Sequence, residues 1–440
     1  MCPTQACAER TFRAERFLKA RSWLDYATEF EKDNKRCDLL RSIIQEHYYR
    51  AADQRWLRTD SAQSAINYEG VIRYTNACRW VLPWVHRHCN LSGAKIIDIG
   101  AGTGATTVAF AHLAAFVSGY EIEEKSVAAA NKRFAAMGIE NCCIQLVSPE
   151  DQLDVVKRKH PDGSDFVLLF AVLEHLTQEE RIIYLSTIWH EILRPGGYLV
   201  VVDTPNRLAY FDAHTSEMPF FHLLPPHLAL NYFCRSPRAE FVSGMREVIQ
   251  AREDAVIALH RWGLGASFHE FEIAFGVESL EGLIVANGFE WEMTNWFPPK
   301  LEDNLLVTYF VEKELTQDIG FTRSVLNFIF KKPDGGLTIA RPLVNKDYLS
   351  MLIQSFGLDP RLLQRFGPSD RVQFKASEPM MASETGPADG LRRDAKEFWA
   401  MKAELDAMKT STSWRMTAPL RFIAERTPGL RRVFRRLARS

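Results

Sequence analysis

Residues 94–110 read AKIIDIGAGTGATTVAF, and the fold follows from how this stretch changes character along its length. Ile96, Ile97 and Ile99, interrupted only by Asp98, form an apolar run of strand length. Gly100, Gly102 and Gly104 at alternate positions make a tight turn, and Ala105 to Ala115 is small and apolar enough for a packed helix. Glycine lets the backbone bend sharply and come close to a ligand, and the start of a helix leaves amide N–H groups without intrahelical partners. Strand, turn and helix therefore make a nucleotide cradle. Gly100, Gly102 and Ala105 fit the looser G-x-G-x-x-A form of a dinucleotide site. Asp98 points elsewhere: a carboxylate aimed into the turn repels pyrophosphate and suits a ligand carrying an ammonium group and no phosphate.

Beyond this stretch the pattern alternates, with strands expected at 95–100, 115–121, 142–148, 165–172 and 197–203 and helices at 104–113, 124–137, 150–158 and 178–192. Such alternation predicts a doubly wound, mostly parallel α/β sheet, whose ligands bind at the carboxyl ends of the strands. Glu121 stands just after the second strand, about twenty residues beyond Gly100, where an acid accepts hydrogen bonds from both hydroxyls of a ribose. The alternative for Glu121 is a plain helix-capping acid. After the fourth strand comes FAVLEHLTQEER, with Glu174 and His175, and RPGGYLVVVDTPNR closes the fifth, ending in a polar turn from Asp203 to Asn206.

Taken in this order and spacing, the segments resemble the class I S-adenosylmethionine-dependent methyltransferases, whose first motif carries an acid followed by G-x-G-x-G. The resemblance covers about residues 60 to 332. It implies a seven-stranded, Rossmann-like sheet and S-adenosyl-L-methionine as cofactor, held by Asp98, Gly100, Gly102, Gly104 and Glu121. In the family a short polar turn after the third strand holds the adenine; Ser148 stands where many relatives have Asp, so Glu150 or Asp151 is left to make that contact. The LEH segment is similar to that of the ubiquinone-pathway O-methyltransferases, where it lines the active site below the sulfonium. Some relatives add a Glu three residues earlier to bind a divalent cation. Ala171 occupies that position here, so no metal is expected. His175 is a candidate general base, since an imidazole titrates near the working pH, or a residue that only shapes the pocket.

Residues 207–275 form an insertion rich in aromatic residues, histidines and prolines, placed where the carboxyl edge of the sheet would receive an acceptor. His214 and His269 join His175 and Glu174 as catalytic candidates, and Asp212, His222, His227 and Glu270 offer further hydrogen bonds. The alternative is that these groups satisfy one another within a lid. PNRLAYFDAHTSEMPF also resembles a subgroup of methyltransferases encoded with bacterial surface-polysaccharide enzymes. A helix at 277–287 and an antiparallel pair at 290–297 and 321–331 are expected to complete the methyltransferase domain, 91–332.

Around this domain lie a helical prefix, 1–90, a small helical supplement, 338–373, a Ser-, Pro- and Gly-rich linker, 374–390, and a C-terminal helical segment, 391–440. The prefix reads either as packing against the sheet or as part of a cover over the ligand. In the last segment a short heptad pattern precedes Arg415, Arg421, Arg426, Arg431, Arg432, Arg435, Arg436 and Arg439, interleaved with Leu420, Phe422, Ile423, Phe434 and Leu437. This basic amphipathic tail resembles the SWR-x-T-x-PLR tail of bacterial glycosyltransferases and methyltransferases of envelope polysaccharide pathways, which implies docking through 411–440 to an anionic membrane surface or a glycosyltransferase. A merely solvated tail is the alternative.

The formal net charge of −1 argues against nucleic acid as a partner, and the eight cysteines contain no C-x-x-C pair, so neither a zinc knuckle nor a redox dithiol is indicated. With no secretory signal read at the N-terminus, a cytoplasmic protein is expected, peripheral on the inner membrane face if the tail docks there. The sequence therefore points to a methyltransferase acting on a glycan or lipid-linked saccharide. A quinone- or phenol-type O-methyltransferase and a non-catalytic scaffold are the alternatives.

Overall fold

Alternate residues of the central strands belong to two different cores. β1 (Lys95–Ile99), β4 (Ser164–Phe170) and β5 (Leu193–Pro205) place Ile96, Phe166, Leu168 and Val200 in one buried cluster and Ile97, Val167, Leu169 and Val201 in the other. A strand apolar on both faces must be covered by helices on both sides, which is why these segments read as near-continuous hydrophobic runs. The computed structural model describes residues 22–335 and 343–369 except 362, 364 and 365. β2 (Phe116–Glu121) and β3 (Cys142–Leu146) extend one edge of the sheet, and β9 (Val325–Lys331) and β8 (Ile284–Ala286) the other. The strand order is β3-β2-β1-β4-β5-β9-β8, and β9 runs antiparallel to both of its neighbours. The order reverses between β1 and β4, and the crevice outside their carboxyl ends is where a doubly wound sheet binds its ligand.

The sequence-predicted strands and helices of the first half recur within a few residues, apart from β5, which begins at Leu193. The second half required correction. Residues 277–287 do not form the expected helix: a turn leads into β8 at Ile284, with Gly282 and Gly288 both at positive φ. Residues 290–297 are not a strand but hold the helix Trp291–Trp296, and β9 starts only at Val325 after a 3-10 turn over Ile319–Thr322. The expected antiparallel edge exists, but its outer strand lies upstream of the predicted one. Glu290 explains the helix: its side chain accepts from the N–H groups of Asn287 and Gly288 and from Trp84 Nε1, so the chain turns here instead of extending.

The described part of the prefix is helical, with π turns at Ile44–Tyr48, Tyr68–Ile72 and Ala77–Val81. Its Tyr74, Val81, Trp84 and Val85 share the buried cluster of Ile96 and Val200. After β5 the chain makes a short hairpin, β6 (Phe211–Asp212) with β7 (Met218–Pro219), then helices Pro226–Tyr232, Ala239–Ala251 and Ala255–Arg261 around Phe221, Phe233, Phe241, Met245 and Leu259. Residues 343–369 carry the helix Lys346–Phe356 and a two-stranded parallel pair, and Tyr348 stacks on Phe289. The described residues belong to one compact unit. The linker at 374–390, the heptad segment and the basic tail lie outside the described residues, as do residues 1–21 of the prefix. No helix among the described residues is long and apolar enough to cross a membrane.

Candidate active site

The glycine turn leaves β1 with Gly100, Gly102 and Gly104 all at positive φ, between 54° and 74°. A Cβ on Gly104 would lie 2.6 Å from the Phe134 ring, so only glycine allows the helix Glu124–Ala136 to pack this closely. A Cβ on Gly102 would meet nothing within 4 Å: the turn faces open space there.

Two acids frame that space. Asp98, 1% exposed, accepts from Thr107 Oγ1 at 2.7 Å through one oxygen, while its other oxygen, Oδ1, is buried without a partner. Burial pushes this carboxyl up to about 7, the hydrogen bond from Thr107 working the other way. A buried carboxylate with a vacant acceptor suits an ammonium ligand, which would restore its charged form. Glu121, at the end of β2, accepts from Gly102 N–H at 2.7 Å and from the N–H groups of Ile122 and Glu123. Its carboxylate is thereby fixed beside the turn, and Oε2, which takes only the Gly102 N–H, keeps a further lone pair for a ribose hydroxyl.

The prefix supplies groups that the sequence reading missed. Arg133 is fully buried and donates to the carbonyls of Glu69 at 2.6 Å, Gly70 at 2.9 Å and Thr103 at 2.8 Å. It thus ties the π turn of the prefix to the glycine turn. Glu69 also accepts from Thr103 Oγ1 and pairs with Arg73 at 3.0 Å, and Arg73 lies over the Phe170 ring at the end of β4. Arg73 is the cation whose field acts on Asp98, Glu174 and Asp203 alike. An arginine within the apolar run VIRYTNACRWVLPWV was the available signal, though Arg79 shares that run; Arg133, in an amphipathic helix, looked like an ordinary surface charge.

Glu174 and His175 form a 3-10 turn after β4. Glu174 is 1% exposed with Oε2 unpartnered, and burial pushes its carboxyl up to about 8. It therefore holds its proton at neutral pH. His175 Nδ1 lies 2.9 Å from the Arg261 carbonyl, which fixes the proton on Nδ1 and leaves Nε2 free, 3.9 Å from Glu174. Burial lowers His175 below the usual imidazole range. The His214 ring from the insertion stands 6.0 Å from that of His175, and burial, with His175 beside it, lowers His214 to about 4. Asp203 and Ala171, at the ends of β5 and β4, both adopt positive φ, a strained conformation for residues with a Cβ. Burial raises the Asp203 carboxyl to about 6.

The structure therefore gathers Glu174, His175 and His214 into one cluster and Asp98, Glu121 and the glycines into another. The remaining candidates stand apart from both. His269 is exposed and stacks on Phe268, with Ser267 Oγ as its polar neighbour. Glu150 and Asp151 are exposed, the latter bonded to Ser148. Glu270 is buried but pairs with Arg181 at 2.8 Å and caps its own helix, a structural task. Arg181 in turn donates to the carbonyls of Leu176 and Leu264, joining the LEH turn to the insertion. Among the described residues no group of three or more His, Cys, Asp or Glu side chains is placed to hold a metal ion.

A cavity of about 140 Å³ opens between Asp203, Asn206, His214, His222 and Lys300, at the end of β5 and beneath the insertion. A larger one, about 450 Å³, is lined by Phe268, Glu272, Leu280, Leu315 and Phe366 and contains none of the candidate catalytic or cofactor-binding residues.

Residues 90–228 match a family model described as a methyltransferase domain. The chain carries a class I S-adenosylmethionine-dependent methyltransferase domain. Its cofactor is S-adenosylmethionine, and the unpaired Asp98 oxygen and the open face of Gly102 fit that molecule's ammonium group and its lack of phosphate. The ubiquinone biosynthesis O-methyltransferase of Azoarcus sp. (strain BH72) is 29% identical over 174 residues, 37% of this chain and 71% of that protein. The protein of the same name from Thiobacillus denitrificans is 31% identical over 146 residues, 33% of this chain and 59% of its own length. Magnesium protoporphyrin IX methyltransferase from Synechocystis PCC 6803 is a structural neighbour at 22% identity, with a TM-score of 0.28 over 38% of this chain and 77% of that one.

Proposed function

We propose that the protein is an O-methyltransferase whose acceptor is a hydroxyl on a six-membered ring. The observation that carries this reading is the buried Asp98 carboxylate with its vacant oxygen beside the glycine turn. The cofactor supplies a methyl group on a positively charged sulfur. Asp98 would hold its ammonium group, Glu121 its ribose hydroxyls, and Arg73 would balance its carboxylate. The chain's own contribution is alignment of the acceptor oxygen beneath the insertion and removal of its proton. Relatives named for ubiquinone biosynthesis lend weight to a quinone- or phenol-type acceptor, while the resemblance of the tail to those of envelope polysaccharide enzymes lends weight to a saccharide. A hydroxylated ring is common to both.

Titration calorimetry tests the cofactor half directly. S-adenosylmethionine should bind with a micromolar-range Kd, the scale of a working substrate level. Because Asp98 must be charged to hold the ammonium group and burial places it near 7, affinity should rise from pH 6 to pH 8. Asp98→Asn should bind more weakly and lose that rise. Binding of NAD in place of S-adenosylmethionine would falsify the reading.

A further inference from the structure

The end of β5 is irregular. Its pairing with β9 sets Val201 against Phe328 and then Thr204 against Leu326, so Val202 and Asp203 together oppose the single residue Asn327. A bulge of this kind re-aims a side chain. The Asp203 N–H finds its partner in the Asn327 side chain, whose Oδ1 accepts at 2.9 Å, and φ at Asp203 is 57°. Backbone strain of this sort gathers at functional sites. From Leu199 to Asn206 every residue is buried except Asp203, which lines the 140 Å³ cavity. Its carboxylate accepts no hydrogen bond and joins no ion pair among the described residues, although it lies within electrostatic reach of Tyr68, Arg73 and Glu174. The cavity and the groups at the carboxyl end of β4 therefore meet at this side chain.

The other polar groups nearby are less suited to take a proton from the cavity. Both ring nitrogens of His222 are buried, and the ammonium of Lys300 only donates. His214 is lowered to about 4 by burial, with His175 beside it, and its Nδ1 lies 3.2 Å from Thr215 Oγ1. Glu174 is buried and keeps its own proton, and His175 does not line the cavity.

We propose that Asp203 is the general base for the acceptor hydroxyl, its carboxylate turned into the cavity by the bulge and the left-handed backbone at the end of β5. The inference rests on the methyl-transfer reading and names its proton acceptor. In the step, the hydroxyl O–H bond breaks and its proton goes to a carboxylate oxygen of Asp203. The freed oxygen pair forms the bond to the methyl carbon, and the pair of the broken carbon–sulfur bond stays on sulfur. Burial raises this carboxyl to about 6 against the opposing field of Arg73, so above neutrality it is ionised and still basic enough to accept.

Methyl transfer by the full chain tests it, followed at saturating S-adenosylmethionine so that titration of Asp98 stays out of the profile. Catechol and methyl α-glucoside are the probe acceptors, and transfer to either serves. Wild-type kcat should rise with pH through a limb near 6, set by Asp203 in the field of Tyr68, Arg73 and Glu174 and of His214, His222 and Lys300 around the cavity. Asp203→Asn keeps a residue type that tolerates this φ. It should lower kcat roughly 100-fold, abolish the limb and leave S-adenosylmethionine affinity within about twofold of wild type. Asp203→Gly removes the carboxylate and leaves room for a small one, so added formate should raise its rate at least about tenfold, a rescue that a merely structural carboxylate would not show. An Asn variant with undiminished kcat, a limb that survives the substitution, a Gly variant indifferent to formate, or transfer to neither probe by cofactor-saturated wild type overturns the proposal. If Asp203→Asn does not fold, Asp203→Gly with formate still decides. Failure of the wild type to bind S-adenosylmethionine at all sinks the methyltransferase reading instead.

Discussion

Arg133→Met tests whether the prefix and the glycine turn behave as one unit. The substitution keeps the length and apolar stem of a fully buried side chain and removes its donors to Glu69, Gly70 and Thr103. Leaving a buried carbonyl without its donor costs roughly 1–3 kcal/mol each. Part of that is recovered because a guanidinium whose burial has already lowered it to about 10 no longer has to be desolvated. The net loss should be about 3–4 kcal/mol, in line with breaking other buried charged contacts. Unfolding entropy near 2.1 cal/mol/K per residue over roughly 340 described residues converts this to about 5 °C in Tm. Calorimetric melting of the full chain reads the shift, and titration with S-adenosylmethionine on the same samples reads the coupling. Because Thr103 lies in the glycine turn and also donates to Glu69, affinity should fall at least tenfold, about 1.4 kcal/mol. A Tm within 1 °C of wild type refutes the energetic argument. A large Tm loss with unchanged affinity refutes the coupling and leaves Arg133 as a purely structural residue.

Glu174→Gln should flatten the pH dependence of stability. Burial raises Glu174 to about 8, so the folded chain keeps a proton that the unfolded chain releases near 4.5; this contribution is complete below about 4.5 and lost as pH rises through 8. Urea midpoints of the wild type should therefore decline between pH 5 and 8 more steeply than those of the variant, which should be the more stable at pH 8. Asp98 and Asp203, also raised by burial, would leave a residual slope in both; equal slopes would contradict the assignment. For the basic tail, a chain ending at Gly390 should keep cofactor binding but partition less onto vesicles containing anionic lipid, each basic residue near the surface contributing about 1 kcal/mol, and high salt should release the full chain. Full-length protein that ignores such vesicles at low salt rules out membrane docking.

The strand, turn and helix at 94–110, the alternation that follows and the acids Asp98 and Glu121 were legible in the sequence because each depends on local periodicity and on the backbone freedom of glycine. Those signals lie within one or two turns of chain, so neighbours in sequence determine them. The edge of the sheet was not legible in this way. Residues 284–297 are apolar enough for either state, and the choice fell to Glu290, whose side chain accepts from the N–H groups of Asn287 and Gly288 just before the helix and from Trp84, more than two hundred residues earlier. Charged residues gave the least away. Arg133 and Arg181 look like solvated surface residues, yet both are buried because carbonyls and acids from distant segments converge on them. The same holds for the histidines of the insertion. Sequence could enumerate His175, His214, His222 and His269 but could not rank them, since a histidine's role follows from which nitrogen is engaged and what surrounds the other. Tertiary packing alone decided that: it left His269 on the surface and set His222 between the Asp212 carboxylate and the cavity.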